Sequence, residues 1–333
     1  MRLMRAALTT AGTLGALHAL NRHLERSGGP PRTALGGERR RYRWKGGEIA
    51  YSVAGEGPPL LLVHGIYAGA SSLEFRRNFG PLSRHFTVYA PDLLGCGASE
   101  KPRRRYAPED VTSQIEDFVR EEIQRPTHLV ASSLSAALAL PAAVRSPRLF
   151  RSLVLICPTG LGTLDRPSGR LGEAVYRLLV SPLLGDLLYH ALVSHRGIRL
   201  YLERMAYHDP SRVTEEIVED HYRVSHGPNA KFLPAAFVAG KLNQPALPCW
   251  TQLRQRVMVC WGREARTPPP AELDAFLRYN PRTAPRIFRD AALLPHDERA
   301  EDFNREVADF VSAGRIKAPG SNGKRPTEKG NQP

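Results

Sequence analysis

Six short apolar runs restrict what this chain can fold into more than any other feature. They are LLLVHG (60–65), FTVYAPD (86–92), THLVAS (127–132), SLVLIC (152–157), RVMVCW (256–261) and RIF (286–288). Such short, mostly apolar runs read as parallel strands covered on both sides. Helical spacing separates them. In PEDVTSQIEDFVREEI, Val111, Ile115, Phe118 and Glu122 share one face, with Pro108 in the first turn. This alternation predicts an α/β fold, a mostly parallel sheet with helices on both faces. Ahead of it, RYRWK and EIAYSVAG alternate around Gly46-Gly47 and predict a β-hairpin.

One interval is too long for a crossover. Residues 161–250 hold several helix-like segments, among them GEAVYRLLVSPLLGDLLYHALV and PSRVTEEIVEDHYRV, and are expected to form an inserted helical cap. The core is then assigned to 41–160 and 251–313. An N-terminal helix over 1–26 and a Gly/Pro-rich linker over 27–40 precede it. Residues 314–333 contain almost no apolar side chain and are expected to be disordered. A chain of 333 residues is long enough for one large domain with such an insertion.

The net charge of +14 sits at the ends. Residues 1–45 carry ten Lys/Arg against two Glu, and residues 314–333 five against one, so the middle is nearly neutral. No arginine-rich or aromatic RNA-binding signature accompanies the charge, and nucleic acid is not an expected partner. The N-terminal MRLMRAALTTAGTLGALHAL is weakly apolar, broken by three Thr and two Gly, and too short to span a bilayer. It reads as an amphipathic or frayed helix, with a signal-like or membrane-tethering segment as the alternative. Cys96, Cys157, Cys249 and Cys260 form no CxxC pair and fit free thiols in a reducing compartment. The expected location is the cytoplasm, with weak membrane association through the N-terminus left open.

The chemistry-bearing stretch is Ala131-Ser132-Ser133-Leu134-Ser135, between a buried strand and the helical run AALALPAAV. A serine on a sharp strand–turn–helix needs small residues two positions either side, because backbone and helix come close there. Alone, such a serine is as well explained by helix capping. Its neighbours alter that reading. GEGPPLLLVHGI, VYAPDLLGCGASEKP and THLVASSLSAALAL together resemble the α/β-hydrolase family over residues 41–313. The resemblance implies Ser133 as nucleophile on the nucleophile elbow. It implies an oxyanion hole from the backbone N–H groups of Ile66 and Leu134, and His64 and Gly65 as supports of that loop. Asp92 reads as a turn-stabilising residue.

Two positions depart from the family pattern. Its acid follows WGxxD, and the chain reads Trp261-Gly262-Arg263-Glu264-Ala265, so Ala265 stands at the acid position. Another acid position of the family falls on Cys157. The closing stretch D-A-G-H-x-P-H-x-E matches Asp290–Glu298, DAALLPHDE, and puts Leu293 at the histidine position. Leucine accepts no proton. Three readings follow. In one, His296 is a relocated base for Ser133, oriented by Glu264, Asp290 or Asp297, with Glu264 the replacement acid. In another, the triad is degenerate and the fold is a binding or interaction module for a hydrophobic ligand. In the third, His190, His195, His208 or His226 of the cap supports other chemistry.

The substrate expected from the resemblance is a small or medium hydrophobic ester or related carbonyl compound. Tyr176, Tyr189, Tyr201, Tyr207, Tyr222, Phe232 and Phe237 of the cap are expected mostly to pack its core, with a few at the pocket mouth. SHGPNAKFLPAAFVAGKL is apolar enough to face it. No metal cluster, phosphate loop or dinucleotide fingerprint is found, so no cofactor is expected.

Overall fold

A computed structural model describes residues 2–30 and 35–313 of the chain. The expected tail over 314–333 and the middle of the expected linker, 31–34, lie outside the described residues.

The strands are β1 (Glu38–Trp44), β2 (Gly47–Ala54), β3 (Pro59–Val63), β4 (Thr87–Pro91), β5 (Thr127–Ser132), β6 (Phe150–Ile156), β7 (Arg256–Gly262) and β8 (Ala284–Phe288). They form one eight-stranded sheet in the order β1-β2-β4-β3-β5-β6-β7-β8. β1 and β2 pair antiparallel, as do β2 and β4, and the other pairs are parallel. The six apolar runs are the six parallel strands. Every residue of β3 and of β5 is buried, as continuous apolar sequence requires when helices cover both faces.

The order of the strands positions the site. β4 lies on one side of β3 and β5 on the other, so the chain reverses direction across the sheet between them. Ligands of open α/β sheets bind outside the carboxyl ends of strands at such a point. Val63 pairs with Ala131, which brings the loop after β3 beside the turn after β5.

The arginine run has a local use. Arg39, Arg40, Arg41 and Arg43 are exposed on β1, while Tyr42 and Trp44 point inward. β1 is an edge, and a row of cations discourages pairing with another chain's strand.

Between β6 and β7 the chain forms five helices of seven residues or more: Arg170–Val180, Leu184–Leu192, His195–Tyr201, Glu215–Ser225 and Phe232–Val238. The N-terminal helix Arg2–Ser27 rests on this insertion at its far end. Asn21 Nδ2 donates to Leu183 O at 3.1 Å, and the Ser27 and Tyr222 hydroxyls lie 2.6 Å apart. Among the described residues no helix is long and apolar enough to cross a membrane. Cys96, Cys157 and Cys260 are buried free thiols, and Cys249 is free and half-buried.

The end of β7 and the loop after β8 meet backbone to backbone. A Cβ at Gly262 would lie 1.9 Å from Ala292 O and 2.3 Å from Ala291 O. Gly262→Ala is expected to destabilise the protein by about 1–3 kcal/mol through forced displacement of that loop. Urea unfolding checks it, and an unchanged midpoint would show that the loop yields freely.

Candidate active site

Ser133 follows β5 with no intervening loop and opens the helix Ser133–Arg145. Its φ of 53° is left-handed, a conformation that costs a non-glycine residue about 1–3 kcal/mol and persists only when the surroundings enforce it. The surroundings are visible. Ala131 and Ser135 are fully buried, and the Ser135 hydroxyl donates to His64 O at 2.6 Å, tying the first turn of the helix to the end of β3. Gly65 completes the contact. A methyl group there would sit 3.5 Å from Ser133 Cβ and 3.4 Å from Glu74 Oε2.

Ile66 and Leu134 are both buried beside this turn. Leu134 N–H belongs to the first turn of its helix, where amides have no intrahelical acceptor, and the helix dipole favours negative charge there. His64 is used on both sides. Its Nε2 accepts from Leu93 N–H at 3.0 Å and its Nδ1 contacts Gly65 O at 2.6 Å, which leaves neither nitrogen for a proton from Ser133. Asp92 accepts from Ser72 N at 2.6 Å and Ala98 N at 2.7 Å, holding two loops together.

The expectations for the acid and the base need correction. Glu264 does not approach His296. Its carboxylate accepts from Ala291 N at 3.1 Å, bracing the loop after β8. Asp290 is largely exposed beside Arg299, and Asp297 is bound by Arg76 at 2.7 Å and the Tyr207 hydroxyl at 2.6 Å. The carboxylate beside His296 is Glu74, with 3.3 Å between Nε2 and Oε1. His296 is fully buried between the Phe75 and Phe303 rings, centroids 5.1 and 5.7 Å away, and makes no hydrogen bond to Ser133.

The reason is a single grip. Residues 74–78 hold residues 296 and 297 through the Glu74–His296 pair, Arg76 on Asp297, Arg77 on Asp297 O at 2.9 Å, and Asn78 on His296 O at 2.7 Å. His296 cannot swing toward Ser133 while those contacts stand. Leu293, at the histidine position, lies on the wall of the Ser133 cavity.

Glu74 is the functional candidate that the sequence reading missed. It stands in the turn Ser72–Phe75 between buried Leu73 and Phe75, a charge in an otherwise small and apolar stretch. That contrast was the only local signal. Gly65 N–H donates to its Oε2 at 3.0 Å. Burial pushes the carboxyl up, but the imidazole of His296, with further help from the Ser132 hydroxyl and from His64, outweighs burial and holds it below the usual carboxylate range.

A cavity of about 170 Å³ opens above Ser133. Gly65, Glu74, Ser132 and Ser133 form its floor, and Tyr201, Phe237 and Leu293 are among its walls. Of the insertion's aromatics only Tyr201 and Phe237 reach it. Tyr189 donates to Ser225 O at 2.7 Å, and Tyr222 stacks between His195 and His226 with centroids 3.9 Å away on each side. None of His190, His195, His208 and His226 lines the cavity. Among the described residues no group of three or more His, Cys, Asp or Glu is placed to hold a metal ion.

Comparison with known proteins adds the following. A family model described as "Alpha/beta hydrolase family" matches residues 60–306. An uncharacterized protein of Mycobacterium tuberculosis is 37% identical over 113 residues, 34% of this chain and 32% of that one, so the match spans about a third of the relative's length. A 2-hydroxy-6-oxo-2,4-heptadienoate hydrolase of Pseudomonas putida is 28% identical over 271 residues, covering 78% of this chain and 91% of that one. Among solved structures, a 2-hydroxy-6-oxo-6-phenylhexa-2,4-dienoate hydrolase from a Rhodococcus species superposes with a TM-score of 0.69 at 21% identity. That match covers 83% of this chain and 98% of the other, and at this identity it speaks for the fold alone.

The buried pair has a measurable consequence. Glu74→Ala leaves His296 without its partner and is expected to cost about 3–5 kcal/mol, whereas Glu74→Gln, which keeps an acceptor for Gly65 N–H, costs less. A carboxyl held low in the folded state contributes stability above its unfolded pKa and loses it as pH falls through the folded value. The wild type therefore loses stability below the usual carboxylate range, and Glu74→Gln lacks that part of the loss. Urea unfolding between neutral and acid pH reads both effects.

Proposed function

The chain belongs to the α/β-hydrolase family, and from that premise we propose that it is a slow serine hydrolase. Its substrates are small, neutral, apolar esters or related carbonyl compounds, attacked by Ser133. The observation that carries this reading is the left-handed backbone of Ser133 at the end of β5, opening on a cavity. A strained polar residue at the carboxyl end of a central strand costs stability, and presenting a nucleophile is the use that accounts for the cost.

In this reading the Ser133 oxygen attacks the carbonyl carbon, and the carbonyl oxygen takes the charge toward Ile66 N–H and Leu134 N–H. One such donor is worth roughly 2.7–4 kcal/mol of barrier. With leucine where the family places histidine, turnover rests more heavily on that hole and on binding, which supply roughly 10³–10⁴ over water. The rate is accordingly low.

Charge and size narrow the substrate. The cavity lining holds the Glu74 carboxylate and no Lys or Arg. The relatives' names describe dienoates, which are carboxylates. A second negative charge beside Glu74, with no cation to receive it, would be repelled. A volume of about 170 Å³ suits a molecule with a single ring or short chain. Tyr201, Met205 and Phe237 from the helical insertion, acting as a cap, supply apolar contact. Leu293 on the wall favours a second reading, a binding module that retains an apolar ligand without cleaving it.

Labelling with a fluorophosphonate probe separates the two. The hydrolase reading expects label on Ser133, none on Ser133→Ala, and measurable cleavage of p-nitrophenyl butyrate. Leu293→His, which returns an imidazole to the cavity wall, is expected to raise kcat/KM at least about tenfold. A folded wild type that neither labels nor turns over sinks the hydrolase reading, and an apolar ligand retained in native mass spectrometry would support the binding module.

A further inference from the structure

Glycine at 65 brings together two groups that would be useful to each other. A methyl group built there lies 3.4 Å from Glu74 Oε2, 3.5 Å from Ser133 Cβ and 3.7 Å from Ser132 Oγ. All four residues line the Ser133 cavity. The buried hydroxyl of Ser132 makes no well-formed hydrogen bond, although it lies near enough to Glu74 to favour the ionised carboxylate, and Glu74 Oε1 faces only His296 Nε2, 3.3 Å away. A water in the cavity beside Gly65 would have the polar groups of Glu74, Ser132 and Ser133 among its walls, within the two to four polar partners that a buried water needs.

We infer that Glu74, through one water held in the space beside Gly65, accepts the proton of Ser133, and that His296 is a positioning residue for its carboxylate. The inference rests on the reading of Ser133 as a nucleophile, and it assigns the proton acceptor that Leu293 cannot be.

The chemistry balances without a further reactant. As the Ser133 oxygen bonds to the substrate carbon, its proton passes to the water and a proton of the water passes to Glu74. The carbonyl π pair moves onto the carbonyl oxygen. When the tetrahedral species collapses, the carbon–oxygen bond to the leaving alcohol breaks, and that alcohol takes the proton back from Glu74 by the same path. A second water then attacks the acyl group and gives its proton to Glu74. Ser133 leaves with that proton, and the carboxylate is restored.

Several titratable groups face Glu74. They are His64 at the end of β3, His296 from the turn Pro295–Glu298, Tyr67 and Cys96 from neighbouring loops, Cys157 after β6, and Tyr201 and His221 from the helical insertion. Burial pushes both phenols up and both thiols up to about 12, so these four stay neutral at ordinary pH. Burial pushes His221 down, toward its neutral form. The imidazoles of His296 and His64 next to Glu74 favour its ionised form. A carboxylate held low is a weaker base than imidazole, which suits slow turnover, but it stays deprotonated further into acid.

The test uses the full chain and the rate of fluorophosphonate labelling at Ser133 between pH 8 and 5, for wild type, Glu74→Gln and Gly65→Ala. Gly65 is outside the left-handed region and its methyl would meet nothing closer than 3.4 Å, so Gly65→Ala should fold even if Glu74→Gln does not. The wild-type rate is expected to stay level down to about pH 5, where a histidine base would already have faded through about 6.5. Both variants are expected to label at least about tenfold slower, with unchanged circular dichroism. Labelling of both variants at the wild-type rate, or a wild-type rate that falls through pH 6.5, overturns the role of Glu74 while leaving Ser133 a nucleophile. Absence of label on folded wild type overturns both.

Discussion

A buried carboxylate without partners is too costly to keep, and that constraint organises the centre of this molecule. Glu74 meets it with Gly65 N–H from the loop after β3 and His296 from the turn before the last helix. The loop after β3 and the turn Ser72–Phe75 are thereby fixed to each other and to a turn more than two hundred positions further on. The loop that carries Ile66 N–H cannot shift without releasing Glu74, and His296 cannot leave without stranding it. Asn78 adds a second bond to the same turn by donating to Asn304 as well as to His296 O, so the last helix is tied to the segment that carries Glu74. The strained turn of Ser133 lies against this block, with Gly65 thin enough to let them touch.

How much of this could be read from the chain depends on distance along it. The parallel strands were legible because burial on both faces leaves a continuous apolar run, and each run became a strand within one or two residues. The tight turn at Ser133, beside buried Leu134, Ile66 and His64, was legible because such a turn and its close neighbours need particular residue types within a few positions. The reading that Ala265 and Leu293 stand at the family's acid and base positions needs only a register. The Glu74–His296 pair was not legible. It joins residues more than two hundred positions apart, and whether two such side chains meet is decided by how a turn after β3 packs on a helix after β8. The same holds for Tyr201 and Phe237, which reach the cavity while five similar aromatics of the insertion do not.

The basic character of the chain shows the opposite case, a conspicuous sequence feature with a modest structural use. Four arginines within five positions look like a binding patch. On β1 they stand outward along a sheet edge, two of them paired with Glu38 and Glu48. Exposed pairs of this kind add little stability. What they do is make that edge unattractive to another strand.

The two departures from the hydrolase pattern are physically coherent with each other. In a working triad the acid is buried because the imidazole beside it carries the compensating charge and donor. Position 265 is buried, and with leucine at 293 an aspartate there would have no imidazole from that position as its partner; a buried unpaired carboxylate is strongly disfavoured. Alanine, buried at 265, removes that cost. The loop is then free to pack as hydrocarbon: Leu293 and Leu294 both line the cavity, and Glu264, one residue earlier, turns away to hold Ala291 N–H. Leu293 and Leu294 make this wall apolar, while the carboxylate and hydroxyls of Glu74, Ser132 and Ser133 line the cavity floor from the turn after β3 and the end of β5. Charges in a drier cavity act over longer range than in water, so whatever chemistry the site performs is governed from that floor. The absent histidine does not leave a damaged copy of the usual site. It leaves a cavity whose carboxylate, Glu74, comes from the turn after β3 and not from the loop after β8.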